Sequence, residues 1–514
     1  IEIEGSSDIA FSAFEDLMQL LIGLDKIYGT NICPNLVDLK SKNEIKKYKL
    51  ENGELVYRDD QELNDPSLFK LRIDTYNSNH HTIALKENEF PDMVIRPAFL
   101  PVKFSVDSSY FIGRRKIEVH KDDASSVFLI FLQHLFRKKE FREHQSNAVY
   151  NALNQEDSIV LLPTGAGKSI IYQLAGLLMP GVTIVVDPLT ALIEDQIEGL
   201  SNYGIDRAVG LTSMKIPRNE KDRLMKGIER GEYHFILHSP ERLQIPSFRS
   251  TLRALVETSL INLAVIDEAH CVSEWGHDFR PSYLNLSDNL KNFAKDRSGE
   301  PPPLIALTGT ASRAVLRDVL TELHIDRSNS NLLIRPDSFD REELIFKIAR
   351  PERVDDTEAV LRGTLNALPE EFGFPRSEFY RASGRDTKSG IIFVPFVNGR
   401  THGIMNTLDE VRGSTKTNVT FYSGGAPRGL DKDEWDIKKR QNIIQFKQNL
   451  APILISTKAF GMGIDKPNIR YTIHLWMPGS LEAFYQEAGR AGRDRDPAHA
   501  RVIFTEFDQD RTDN

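Results

Sequence analysis

From Asp157 onward, short runs of aliphatic and β-branched residues alternate with stretches whose apolar positions recur at helical spacing. Ser158–Leu162, Val182–Val186, His234–His238, Leu263–Ile266 and Leu304–Leu307 are nearly apolar throughout, the pattern of strands buried on both faces. Amphipathic segments such as Ser169–Leu178 and Ala191–Leu200 lie between them. The rhythm breaks over residues 326–388, where charged and Ser-, Asn- and Pro-rich pieces surround one predicted helix at Thr357–Leu368. It restarts with Gly390–Val394, Val419–Tyr422, Pro452–Ser456 and Tyr471–Leu475. The pattern predicts an α/β protein with two tandem parallel sheets, at residues 131–325 and 389–514, joined by a linker or insertion at 326–388. Residues 1–130 show no such alternation. They predict a small α+β accessory domain, with an apolar helix at Val127–Phe136 leading into the first sheet.

Composition adds limits. A length of 514 residues exceeds one ordinary core and agrees with several domains. With 40% apolar and 27% charged residues, the chain is expected to be soluble and globular. No apolar run has the length of a bilayer span, and the N-terminus lacks the basic-then-apolar pattern of a secretion signal. An intracellular protein without a membrane partner is expected, cytoplasmic in a bacterium and nuclear in a eukaryote. Ile1 in place of an initiating methionine suggests a piece of a longer chain. Two cysteines, Cys33 and Cys271, exclude a disulfide framework and a four-cysteine zinc module within these residues. Cys271 is expected to be a small packing residue. The net charge of −9 is opposite to the usual footprint of a nucleic-acid binder, so any such contact would be a local groove.

Three segments carry chemistry. Pro163-Thr164-Gly165-Ala166-Gly167-Lys168-Ser169 follows an apolar strand and opens a helix, the setting in which backbone amides wrap phosphate. Thr164, Gly165 and Gly167 would line that loop, Lys168 would reach the β- and γ-phosphates of ATP, and Ser169 would hold Mg²⁺. The strict pattern begins with glycine, whereas this chain has Leu162. About a hundred residues on, Asp267 and Glu268 close an apolar strand; Asp267 would complete the Mg²⁺ shell and Glu268 would orient the attacking water. In Gln486-Glu487-Ala488-Gly489-Arg490-Ala491-Gly492-Arg493, two arginines three apart are predicted on one helical face, placed to stabilise transition-state charge. Ala459–Asp465 reads as a glycine-flexed loop coupling nucleotide state to domain closure. Directly after the acids, Trp275, Phe279 and Tyr283 interleave with His277 and Arg280, a composition suited to stacking on exposed bases.

In this order the motifs resemble superfamily 2 helicases, and among them the RecQ family of DNA helicases, from about Phe136 to Phe504. The resemblance implies two RecA-like domains, ATP and Mg²⁺ as cofactors, and movement along single-stranded or forked DNA in the 3′ to 5′ direction. It assigns Arg142 and Gln145, in Phe141-Arg142-Glu143-His144-Gln145, to adenine recognition, and Asp465 and Gln486 to the nucleotide side of the second domain. It assigns Gln196, at the end of Asp187–Gln196, and Arg242, in Ser239–Leu243, to single-strand contact, and Ala306–Ala311 to coupling. The loop with Trp275, His277, Phe279 and Arg280 resembles the family's link between DNA contact and hydrolysis. Departures are Arg137 and Lys138 where glycine and an aromatic are usual, Gly309 for alanine, and Trp476 for an acidic residue. The zinc-binding and winged-helix elements of many members are absent from these residues, and residues 1–130 have no counterpart in the family. Two other readings stay open: an RNA-dependent ATPase, and an ATPase switch that recruits a protein partner through residues 1–130 without unwinding.

Overall fold

The computed structural model describes the backbone of six strands within residues 2–84, residues 19–29, and residues 116–505 apart from 164, 213–217, 274–280, 310, 326–328, 337, 400–401 and 459–465. The N-terminal strands are β1 (Glu2–Glu4), β2 (Leu36–Ser41), β3 (Glu44–Glu51), β4 (Glu54–Tyr57), β5 (Arg72–Asn77) and β6 (His80–Ala84). They form a mixed sheet in the order β4-β3-β2-β1-β5-β6. A helix at 19–28 packs instead on the first lobe: the Tyr28 hydroxyl donates to Leu178 O at 2.8 Å, and Ile27 joins the core around Phe131. The helix expected at Val127–Phe136 runs from Lys121 to Phe136 and shares that core. The first lobe thus recruits residues on both sides of the expected boundary at 130.

The first lobe is a seven-stranded parallel sheet of β7 (Ser158–Leu161), β8 (Val182–Val186), β9 (Ala208–Leu211), β10 (Phe235–His238), β11 (Ile261–Ile266), β12 (Leu304–Thr308) and β13 (Leu333–Ile334). Its order is β13-β7-β12-β11-β8-β10-β9. The central strands are fully buried, which explains their unbroken apolar runs. The edge strands β9 and β13 went unpredicted because they are short and only partly covered.

In the second lobe β14 (Leu344–Ala349), β15 (Ser389–Phe393), β16 (Val419–Tyr422), β17 (Ile453–Ser456), β18 (Ile469–His474) and β19 (Ala498–Ile503) are parallel, in the order β14-β19-β18-β15-β17-β16. Here residues 326–388 depart from the expected linker. β14 pairs along its whole length with β19, and the helix Thr357–Glu371 supplies Leu361, Leu365 and Leu368 to the second core. Four of the six β14 side chains are exposed, so the strand gives no hydrophobic signal in sequence. Gly390 lies against the buried Tyr471 ring, which stacks on Phe379 at 5.9 Å between centroids. A methyl group there would collide with a ring that has nowhere to move. Gly390→Ala is expected to cost about 1–3 kcal/mol by overpacking, read as a lower urea midpoint at unchanged slope.

Candidate active site

The phosphate loop grows directly out of sheet pairing. Leu162 N donates to Thr308 O at 3.1 Å, so the residue standing at the pattern's first glycine prolongs β7 beside β12 and is itself buried. The chain then turns through Gly165 at φ +84° and Gly167 at φ +75°, left-handed values that glycine adopts without strain. Each also admits a neighbour. A Cβ on Gly167 would lie 2.7 Å from Gln145 Nε2, and one on Gly165 would lie 3.2 Å from Arg493 Cγ of the second lobe. Lys168 opens the helix Lys168–Leu178, with Nζ 3.4 Å from Leu162 O. Thr164 lies outside the described residues.

Arg142 and Gln145 reach this loop from behind. Gln145 Nε2 donates to Ala166 O (2.8 Å) and Gly167 O (3.0 Å), while its Oε1 accepts from Arg142 N at 2.9 Å. Arg142 Nη1 donates to Gly165 O. The Gln145 amide expected to read adenine is therefore committed to the loop backbone, where it fixes the path of the phosphate-binding turn.

The acids sit at the end of β11. Asp267 N completes pairing with Val186 O at 2.9 Å, and the buried Asp267 carboxylate accepts from Glu268 N at 2.9 Å. Burial first, and then the adjacent Glu268 charge, raise the Asp267 carboxyl; Lys168 pulls it back. Burial alone would raise Glu268 too, but the hydrogen bond and charge of His270, with Lys168 and Arg490, outweigh it and hold that carboxyl low. Glu268 occupies φ +48°, uncommon for a side-chain-bearing residue and found where function constrains the backbone. His270 Nδ1 lies 3.3 Å from Glu268 Oε2 and 3.1 Å from Thr308 Oγ1, joining the acids to the coupling segment. Cys271 is fully buried in the core, as expected. Tyr283 is not a stacking residue: it too is fully buried, and its hydroxyl donates to Asp267 O at 3.2 Å. Trp275, His277, Phe279 and Arg280 lie outside the described residues.

Gln196 also departs from its expected strand contact. From the helix Thr190–Asn202 its Nε2 donates to Ser169 Oγ at 2.8 Å, and its Oε1 accepts from Tyr172 OH at 3.0 Å. It faces the residue expected to hold the metal because the helix lies on β9 and β10, with Ile193 and Leu200 in the core that also takes Ile171 and Leu174 of the loop helix. The neighbouring acids turn the other way: Lys447 Nζ of the second lobe lies 2.6 Å from Asp195 Oδ1 and 3.3 Å from Glu198 Oε2. Arg242, half-buried, spans from the carboxyl end of β10 to Thr212 O at 3.3 Å, with its guanidinium 6.0 Å from the Phe248 ring centre.

The arginines are not on a helical face. The helix Leu481–Ala488 carries the buried Gln486 and ends at Ala488; Arg490 and Arg493 stand on the turn that follows, with Gly492 at φ +66°. Burial, then repulsion from Arg493, lower the Arg490 proton affinity, while Glu487 and Glu268 across the cleft support its charge. The turn is held by a residue that motif reading missed. Arg341 donates to Gly489 O (2.8 Å), Ala491 O (2.9 Å) and Gly492 O (3.0 Å), with Glu343 Oε1 as its counter-ion at 2.7 Å. It thereby satisfies carbonyls of the turn, from the cap residue Gly489 onward. Its sequence signal was one arginine in a charged connection. Asp465 lies outside the described residues.

The DEAD/DEAH box helicase model matches residues 142–319, and the helicase conserved C-terminal domain model matches residues 377–495. The chain is 35% identical over 367 residues to the probable ATP-dependent DNA helicase RecS of Bacillus subtilis, covering 71% of this chain and 64% of that one. It is 32% identical to Bacillus subtilis RecQ (73% and 56%) and 34% to mouse ATP-dependent DNA helicase Q5 (69% and 33%). The matched part thus spans between a third and two thirds of these relatives. Among solved structures, the DEAD-box helicase Mss116 matches with a TM-score of 0.55 at 15% identity, covering 76% of each chain. The DUF1998 helicase MrfA matches at 0.53 and 18%, covering 83% of this chain and 50% of that one. These two likenesses bear on the fold alone and agree with two RecA-like lobes. With the sequence relatives and both domain models in agreement, the chain belongs to the RecQ family of helicases.

Proposed function

We propose that this chain is an ATP-dependent DNA helicase or translocase, moving 3′ to 5′ on single-stranded DNA. The observation that carries the reading is the convergence across the lobes of Lys168, Asp267 and Glu268 with Arg490 and Arg493. The residues fit ATP and Mg²⁺: two glycines open a turn that any Cβ would obstruct, and a buried carboxylate stands in the field of Lys168. Ser169 and Asp267 would hold the metal, with Gln196 orienting the serine hydroxyl. Bound there, Mg²⁺ neutralises charge developing on the transferred phosphoryl group. Lys168 binds the outer phosphates. Glu268, kept ionised by His270 and the surrounding cations, orients the attacking water. Arg490 and Arg493 approach the phosphoryl group from the opposite lobe and act as arginine fingers. The aromatic loop containing Trp275 and Phe279 senses DNA, a forked duplex is the expected track, and a protein partner would bind through residues 1–130, of which 19–28 and 121–130 also pack on the first lobe.

Lys168→Ala is expected to abolish ATP hydrolysis stimulated by single-stranded DNA, measured by phosphate release; turnover near that of the unaltered protein would refute the assignment. Stronger stimulation by RNA than by DNA would point to an RNA-dependent ATPase, and hydrolysis without strand displacement on a forked duplex to a switch. Trp275→Ala is expected to retain nucleotide binding while the rate no longer rises with DNA. Arg341→Ala should lower kcat at least tenfold with KM for ATP changed much less, because it loosens the finger turn rather than the phosphate loop. Lysine should not rescue it, since one ammonium cannot replace the planar fork that spans three carbonyls.

A further inference from the structure

The second lobe carries an aromatic pair that the motor chemistry leaves unused. Strands β15 and β18 are neighbours at its centre, paired to their ends: Leu475 N donates to Phe393 O at 2.9 Å, while on the other side of β15 Val394 N donates to Ser456 O of β17 at 2.8 Å. From β15 the chain crosses toward β16, and from β18 it crosses the opposite way toward β19, so the strand order reverses between them. Such a reversal opens a crevice beyond the carboxyl ends of the strands, where open parallel sheets bind ligands. Phe396 and Trp476 stand on its two sides, edge to face, with centroids 6.3 Å apart and planes inclined at 63°. Phe396 is 51% exposed, and so is the adjoining Met477. Trp435, by contrast, is buried and stacked on Phe421 at 5.4 Å, which is the ordinary structural use of tryptophan.

The pair is held in place and flanked by cations. Phe396 bridges to Gly403, whose hydrogen side chain lets the loop close tightly on Gly399. Asn398 Oδ1 accepts from Arg428 N at 2.8 Å, bringing an exposed arginine beside the loop. Lys458, also exposed, follows the end of the adjacent strand β17. Isolated exposed aromatics are ordinary, but two preorganised rings with a methionine at a sheet switch point, with exposed cations on the neighbouring loops, suit a flat, anionic partner.

We propose that Phe396 and Trp476 form a stacking platform for an unpaired base of a single-stranded nucleic acid, with Arg428 and Lys458 beside its phosphates. This rests on the motor reading and adds to it a contact on the second lobe, distinct from the loop that follows Asp267. The test is anisotropy of labelled oligothymidylate and oligouridylate with the full chain, across a salt series. Phe396→Ala and Trp476→Ala should each weaken binding about tenfold while leaving the slope against salt unchanged, since rings are lost and no phosphate contacts. Trp476→Phe should recover most of the loss, and Lys458→Ala should flatten the slope. Which of the two polymers shows the loss identifies the track. In a Trp275→Phe background, oligonucleotide should also quench the tryptophan emission, a readout independent of whether the alanine variants fold. Tight binding by the unaltered chain with no quenching, and no loss in folded variants, overturns the platform and leaves the motor reading intact. No oligonucleotide binding and no stimulated hydrolysis by the unaltered chain would instead overturn the motor reading.

Discussion

The parallel pairing of β7, β12, β11 and β8 is the constraint on which the chemistry depends. Because these strands run the same way and are buried on both faces, their carboxyl ends fall along one edge. Register does the rest. Leu162 on Thr308 sets where the phosphate loop leaves the sheet, and Asp267 on Val186 sets where the acids leave it. Thr308, at the end of β12 between them, holds His270, and His270 holds Glu268. A one-residue slip in any of these strands would turn its whole set of side chains to the other face and carry the catalytic groups with it.

Across the cleft the second lobe has fewer fixed points, and they are electrostatic. Lys447 grips Asp195 and Glu198 on the helix whose Gln196 orients Ser169, so a movement of the lobes bears on the helix that positions the expected metal ligand. Arg341 does the converse. It lies on the connection between the lobes and clamps the turn carrying Arg490 and Arg493. Both devices use charge near partly buried backbone and side chains, where screening is weaker than in open solvent. The placement of Arg490 and Arg493 is thereby tied to the path of the connection.

The buried strands were legible because parallel sheets leave unbroken apolar runs, and all nine predicted strands appear with ends shifted by a residue or two. The edge strands β9, β13 and β14 escaped, and so did the buried β19, whose apolar run is interrupted by His499 and Arg501; the edge strand β16 did not escape. β14 displays Ile345, Phe346, Lys347 and Ile348 to solvent, so no periodicity marks it, and a connection was read where the second sheet begins. The phosphate loop and acids were legible because their chemistry demands particular residue types at particular strand ends. Gln145 and Gln196 bond protein groups, and Tyr283 is buried, for a shared reason. Motif identity says which segment a residue belongs to, but a helix or turn has two faces, and packing decides which one carries the side chain. Arg341 was invisible because its partners are backbone carbonyls, which any sequence supplies.

The net charge of −9 runs against the usual footprint of a nucleic-acid binder, and it is what remains after every lysine and arginine has been set against a carboxylate. Asp195 and Glu198 meet Lys447, Glu343 serves Arg341, and Glu371 gathers Lys347, Arg501 and His499. Each of these contacts sets charges of both signs against each other and leaves the −9 in place; what the carboxylates do is hold cations that position other groups. A protein built this way gains less from a broad basic surface than from local contacts. Base stacking suits it, because rings bind without adding charge and release without a large salt penalty. Several modest contacts of that kind would release a bound strand more readily than one strong electrostatic grip.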